Sequence, residues 1–235
     1  MSSPGARAGP VVRSVRADLH SHTYASRDSR LAIDDIIRVN VERGINCVAV
    51  TDHNLIGGAW ELKARAPFQV IVGEEIRTTH GEIIGLFLER EIPMGLSPLR
   101  TVQAIREQGG VVYVPHPYDR VRRRSVLREP AMLEIIEHVD VVEVFNARCT
   151  FRGDIARAEA LADKFGKLKG AGSDAHTRWE CGNAYVELPP FDGPEELKRA
   201  LARGRVVGRL TTPFIHVATR WDRLRKRMAG EPERR

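Results

Sequence analysis

Short apolar runs recur along the chain, at Val48–Val50, Val70–Val72, Val111–Val114 and Val141–Val142. Between them lie stretches whose apolar residues return every three or four positions. Ile33, Ile36, Ile37 and Val41 form one such stripe, behind the acids Asp34 and Asp35; Ile155, Ala158, Leu161, Ala162 and Phe165 form another. That spacing puts one apolar face on a helix. Strands are expected at 15–20, 46–51, 68–76, 83–88, 111–115, 139–145, 168–173 and 184–188, with a short further one at 206–210. Helices are expected at 33–43, 57–66, 98–108, 130–138, 155–165 and 194–203. Strand–helix alternation of this length reads as an α/β protein with a mainly parallel sheet, barrel-like or doubly wound. Both arrangements gather functional residues at the carboxyl ends of the strands.

Those ends carry an unusual set of side chains. In chain order they are Asp18-Leu-His20-Ser-His22, Thr51-Asp52-His53, Glu74-Glu75, Pro115-His116-Pro117, Glu143 and Ser173-Asp174-Ala-His176. Residues two apart in an extended chain point to the same side, so His20 converges with His22 and Asp174 with His176. Imidazole and carboxylate without thiolate describe a catalytic metal site suited to Zn²⁺, Mn²⁺ or Fe²⁺. A buried multinuclear centre is the expectation.

Composition narrows the class without changing that picture. The 235 residues are 42 % hydrophobic and 29 % charged, as in an ordinary globular protein. No apolar run approaches the ~20 residues of a membrane span, and the first ten residues lack the apolar core of a signal peptide. Cys47, Cys149 and Cys181 are odd in number and scattered, so neither a disulfide framework nor a thiolate zinc site is implied. A reducing cytoplasm fits this usage. The net charge of +6 resides in the ends, read as a flexible basic tail at 1–14 and a basic helix or tail at 218–235. A single domain is expected between them, over 15–217.

The string Asp18-Leu-His20-Ser-His22-Thr, with Thr51-Asp52-His53, Gly73-Glu74-Glu75, Pro115-His116-Pro117 and Gly172-Ser173-Asp174-Ala-His176, resembles the PHP (polymerase and histidinol phosphatase) family of metal-dependent phosphoesterases. The match runs from about residue 17 to residue 210. The resemblance implies a distorted seven-stranded β/α (TIM-like) barrel binding two or three divalent metal ions. By that resemblance His20, His22, Glu75 and Asp174 would hold one ion. Glu75 would bridge to a second held also by His116, and His53 and His176 would belong to a third. Two positions depart from the family's pattern. Asp28, a further ligand for the third ion, falls one residue late, in Ser26-Arg27-Asp28-Ser29; and Glu82 stands where relatives often have histidine before an Ile-Leu-Gly stretch.

The implied reaction is hydrolysis of a phosphate ester by a hydroxide held on the metals. Asp174 is then a ligand at the reacting centre, and His53 or His176 would protonate the leaving alkoxide if the third site is empty. The loop Tyr118-Asp-Arg120-Val-Arg122-Arg123-Arg124 follows His116, and Asn146 and Arg148 follow Glu143. Arginine forks there suit phosphate oxygens, so Arg120, Arg122, Arg123, Arg148 and Asn146 are candidate substrate contacts. The expected partner is a small phosphorylated substrate or a short nucleic acid, with no membrane. The competing readings are a metal-dependent amidohydrolase and a non-catalytic, metal-stabilised binding module.

Overall fold

A computed structural model describes residues 14–211. Apart from Ser14, both expected tails lie outside the described residues, as does the end of the expected domain at 212–217. Nine strands and six α-helices alternate among the described residues. In order they are β1 (Val15–Ser21), α1 (Ile33–Arg43), β2 (Cys47–Val50), α2 (Gly57–Arg65), β3 (Gln69–Thr78), β4 (Gly81–Leu86), α3 (Pro98–Glu107), β5 (Val111–Val114), α4 (Glu129–Ile135), β6 (Val141–Asn146), α5 (Arg152–Lys164), β7 (Leu168–Gly172), β8 (Ala184–Leu188), α6 (Gly193–Leu201) and β9 (Arg205–Gly208). A single 3₁₀ turn at Ile136–His138 completes the helix expected over 130–138.

The strands make one sheet, in the order β7-β6-β5-β4-β3-β2-β1-β8-β9. β1, β2 and β3 pair in parallel, as do β5, β6 and β7; β4 runs antiparallel between the two groups. Past the end of β7 the chain returns to β1: Asp174 N donates to His20 O at 2.7 Å and His22 N to Ala175 O at 3.1 Å. The first seven strands therefore form a nearly closed ring. β8 lies antiparallel on the lower half of β1, Val15–Ala17, and carries β9 on its other edge. The expected seven strands correspond to this ring, and the described residues hold nine in all.

Helices cover the ring outside, so its strands are buried on both faces and read as unbroken apolar runs. Cys47 and Ala49 join Leu19, Ile71, Tyr113 and Val141 in a cluster drawn from strands all round the ring. The intervening Val48 and Val50 pack instead with Ile36 and Leu62 of α1 and α2. Val112 and Val114 similarly meet Ile105 and Leu161 of α3 and α5.

One glycine is required where the ring meets the site. A Cβ at Gly172 would overlap the Cβ of His20 and lie 2.8 Å from its backbone nitrogen and 2.9 Å from Glu143 Oε1. Neither His20 nor Glu143 can retreat, because both are buried. Gly172→Ala is expected to cost about 2–3 kcal/mol, as overpacking does when backbone must move. Urea denaturation would measure it, and a loss under about 0.5 kcal/mol would contradict the tight fit.

Candidate metal centre

The strand ends assemble the site by local distortions. The β1–β2 register slips between Asp18 and Ser21. Asp18 itself braces the chain that leaves β7, accepting the Ser173 N–H at 2.9 Å and the Gly182 N–H at 3.3 Å. His116 (φ 28°) and Asp174 (φ 52°) sit in the left-handed region, which costs free energy for any residue with a Cβ. Both aim side chains from the ends of β5 and β7 into the same pit.

Within that pit the expected ligands meet. His20 Nε2 and His22 Nε2 lie 3.2 Å apart, and each is 3.5 Å from Glu75 Oε2. Asp174 Oδ1 is 3.3 Å from His22 Nε2 and 3.8 Å from His20 Nε2. The other Glu75 oxygen reaches His116 Nε2 at 3.2 Å. His53 Nδ1 approaches Glu75 at 3.1 Å, while His53 Nε2 and His176 Nε2 flank Asp28 Oδ1 at 3.5 and 3.3 Å. Among the described residues, four groups have donor atoms close enough to share an ion: His20, His22 and Glu75; His20, His116 and Asp174; His53, Glu75 and Glu82; and His22, His53 and His176.

The hydrogen-bond network assigns the imidazole tautomers. Ser26 Oγ donates to Asp52 Oδ1 at 2.7 Å, so it can only accept from His22 Nδ1 at 3.1 Å. His20 Nδ1 likewise donates to Glu143 Oε1 at 3.1 Å. With both rings neutral, as ligation requires, the two Nε2 lone pairs face one another and two carboxylates. A donor set of that kind fits a divalent cation and little else, and a hydrogen-bonded outer partner for each ligating histidine is its usual companion. Two further buried atoms of the set, His116 Nδ1 and Glu82 Oε2, have no hydrogen-bond partner among the described residues.

The electrostatics divide the imidazoles: burial opposes charge on His20, but Asp174, Glu143 and Glu75 outweigh it and raise it well above its ordinary value, so a cation entering the pit would displace a proton there. Burial and the neighbouring His176 push His22 down to about 3, which keeps it neutral and able to ligate. Burial opposes charge on His53, but Asp28 and Glu75 outweigh it and draw the imidazole up to about 10. Burial also opposes ionisation of Glu75 and Asp174; His53 and His20 hold the first well below the usual range, and Arg122 and His20 the second. Glu82 moves the other way, raised by burial and by Glu75.

The candidate substrate contacts divide into two groups. Arg122 pairs with Asp174 Oδ2 and Asp119, and reaches Asn146 Oδ1 at 3.2 Å. Arg148 lies 2.7 Å from His176 Nδ1 and 3.2 Å from Glu180 Oε1, and Asn146 Nδ2 donates to Asp174 at 3.1 Å. These three reach the pit. Arg120 does not: its guanidinium is forked onto Asp154 at 2.7–3.3 Å and lies over Phe151. Arg123 is exposed and donates to the Arg120 carbonyl. Sequence reasoning also passed over Ser26, Tyr113 and Glu180. Glu180 accepts the His176 and Thr177 N–H groups at 3.0 and 2.9 Å, yet nothing in its sequence surroundings distinguishes it from a surface acid.

Residues 154–206 match the PHP-associated family. An uncharacterized protein of Methanocaldococcus jannaschii is 38 % identical over 187 residues, covering 78 % of this chain and 75 % of that one. The chain belongs to the PHP family. Among solved structures, PsfC from Pseudomonas syringae superposes with a TM-score of 0.66 at 16 % identity, over 91 % of this chain and 99 % of that one. A two-domain protein from Bacteroides vulgatus containing a predicted PHP-like metal-dependent phosphoesterase gives 0.64 at 15 % identity, over 83 % and 65 %. At those identities the likeness is one of fold. In this PHP protein Glu82 stands with His53 and Glu75, and Asp28 stands between His53 and His176 despite its one-residue displacement. The matched segment 154–206 contains Asp174 and His176, so it supplies part of the pit itself.

Directly behind Glu75, the Glu74 carboxyl is fully buried and faces away, accepting the Ile92 N–H at 2.8 Å. Burial pushes it up to about 8 from an ordinary value near 4.5. The folded chain then holds a proton there that the unfolded chain has lost, so folding stability falls as pH rises from about 4.5 to about 8. Glu74→Gln is expected to match the parent at pH 5 and exceed it at pH 8.5 by on the order of a few kcal/mol. Urea midpoints at the two pH values measure this, and equal gains at both would refute it.

Proposed function

We propose that this PHP protein is a metal-dependent phosphoesterase. One observation carries the reading: two imidazole lone pairs, His20 Nε2 and His22 Nε2, converge 3.2 Å apart against Glu75 and Asp174, beside arginines suited to phosphate. His20, His22, Glu75 and Asp174 would hold one ion, Glu75, His116 and Glu82 a second, and Asp28, His53 and His176 an outer third. Such ions polarise phosphoryl oxygens and lower the pKa of water.

The chain's own groups supply the rest. Arg122 and Arg148 lie against Asp174, 19 % and 5 % exposed in their side chains, where they can fork onto phosphoryl oxygens entering the pit. Asn146 Nδ2 holds Asp174 in place and Asn146 Oδ1 holds Arg122. His53, with a quarter of its side chain exposed, is the most accessible imidazole of the set, and its neighbours keep it protonated. With the outer group empty, His53 Nε2–H donates a proton to the leaving alkoxide. With that group filled, His53 cannot donate, and the basic limb of the pH–rate profile assigned to it disappears. An amidohydrolase that bridges its ions through a lysine has no counterpart here, since the described lysines lie on helices (Lys63, Lys164, Lys198) or at the start of β7 (Lys167, Lys169), away from the strand ends that form the pit.

The test is elemental analysis of the purified protein, together with a substrate panel of phosphomonoesters, cyclic diesters and short single strands. Two or three divalent ions per chain with turnover of a phosphoester are expected. Stoichiometric metal with cleavage of amides alone would overturn the reading.

A further inference from the structure

Two loops of the site face meet at one buried carboxylate. Glu180 lies in the chain that follows β7, with its side chain wholly buried. Its Oε2 accepts three donors: the His176 N–H at 3.0 Å, the Thr177 N–H at 2.9 Å and the Thr177 hydroxyl at 3.0 Å. Its Oε1 makes no hydrogen bond among the described residues and faces Arg148 Nε at 3.2 Å, in the loop that follows β6. Burying a carboxylate oxygen is costly unless a donor or a cation stands against it, and Arg148 is that cation.

The same contact decides which way Arg148 points. Its backbone N–H donates to Asn146 Oδ1 at 2.9 Å, which fixes the root of a long side chain and leaves the guanidinium to its own neighbours. The Nε edge is turned to Glu180, while Nη1 lies 2.7 Å from His176 Nδ1 and 3.8 Å from Asp174 Oδ1, on the side of the pit. Arg122 is oriented differently, by Asp119 and Asp174 Oδ2. Asp174 Oδ1 is turned to His20 and His22, so among the described residues Glu180 is the carboxylate left to aim Arg148.

Resting on the phosphoesterase reading, we propose that Glu180 is a positioning residue: it holds the Arg148 guanidinium with an Nη edge toward the phosphoryl oxygens and ties that arginine to the turn bearing His176. Glu180 touches no substrate itself. Its effect passes through Arg148, whose planar fork binds phosphate well only when it is correctly oriented.

Calorimetric titration of inorganic phosphate into the full-length, Mn²⁺-loaded protein tests this, with elemental analysis and circular dichroism alongside. Arg148→Met should weaken phosphate about 10–100-fold, the loss of a hydrogen bond to a charged group. Glu180→Gln keeps the volume, and its amide oxygen can take the three bonds of Oε2, but its NH₂ then meets Arg148 Nε–H, donor against donor. About tenfold weaker phosphate binding is expected, the low end of that range, with metal content unchanged. Adding Glu180→Gln to Arg148→Met should cost nothing further, since a residue acting through another has no effect once the other is gone. Where a single variant does not fold, Arg148→Lys replaces Arg148→Met and Glu180→Asp replaces Glu180→Gln; the lysine keeps a cation without the fork, the aspartate a carboxylate set back from Nε, and the same pattern is expected. Losses that multiply in the double variant, or a Glu180 variant that binds phosphate as the parent does, would overturn the inference. Turnover of p-nitrophenyl phosphate separates the two proposals: its persistence alongside such a failure removes the role of Glu180 and keeps the phosphoesterase. The expected pattern of phosphate binding, with no phosphoester in the panel hydrolysed, removes the phosphoesterase and keeps Glu180 as the brace of an anion-binding arginine.

Discussion

Asp174→Ala is expected to lower phosphoester turnover by at least about a thousandfold, roughly 4 kcal/mol of barrier, and to remove about one ion per chain. Asp174 Oδ1 lies within 3.8 Å of His20, His22 and His176, so three ligand rings lose a shared neighbour at once. Its Oδ2 takes Arg122 and Asn146. Without it the half-buried Arg122 guanidinium keeps Asp119 as its counter-charge and is left next to imidazoles that must be neutral to ligate. Elemental analysis and initial rates on a variant folded by circular dichroism check both parts. Parental metal content together with parental turnover would refute the assignment. Asp174→Asn offers a second reading: it keeps one ligating oxygen and most of the volume, so it should recover folding and part of the metal without recovering the rate.

The second large effect is expected at Glu143, a carboxylate in the otherwise apolar run Val141–Phe145. Its Oε1 faces His20 Nδ1 at 3.1 Å and the Tyr113 hydroxyl at 3.0 Å; its Oε2 faces the His116 N–H at 2.7 Å and Asn146 Nδ2 at 2.9 Å. All four partners donate. A glutamine there must turn its NH₂ toward two of them, whichever way the amide is flipped. Glu143→Gln, nearly the same size, is therefore expected to be severe: about 2–4 kcal/mol of stability from donors left unpaired, and metal affinity reduced about 10–100-fold through His20. Tyr113→Phe removes one donor and leaves the carboxylate intact, so its cost should be about 1 kcal/mol with metal content unchanged. Chemical denaturation and metal titration of the two variants measure these effects, and a mild Glu143→Gln would contradict the four-donor arrangement.

Most of the architecture was legible in the sequence because the strands are buried on both faces and stand out as apolar runs. The helix stripe from Ile33 to Val41 gave α1 with both boundaries correct. The ligands were legible because imidazoles and carboxylates ending apolar strands have no other inexpensive explanation. What was not legible depends on pairing across distance. Strand periodicity shows β8 as alternately buried and half-buried, unlike the ring strands, but cannot tell that it and β9 pair onto the lower half of β1. Arg120 and Arg122 are two residues apart in one loop, yet Asp154 draws the first outward and Asp174 the second inward. Neither carboxylate is near that loop in sequence. Ser26 becomes part of the site only because its hydroxyl lies between His22 and Asp52.

The ring closes through very little backbone. Between β7 and β1 the direct bonds are those at His20, His22, Asp174 and Ala175, whereas β3 and β4 pair over six successive positions. That seam is also where the ligands cluster, with His20 and His22 on one lip and Asp174 and His176 on the other. Cations gripped there would act as rivets across this sparse join of the barrel. Amide hydrogen exchange should accordingly slow on metal loading most at residues 20–22 and 172–176, and least in the β3–β4 hairpin, which already holds itself shut.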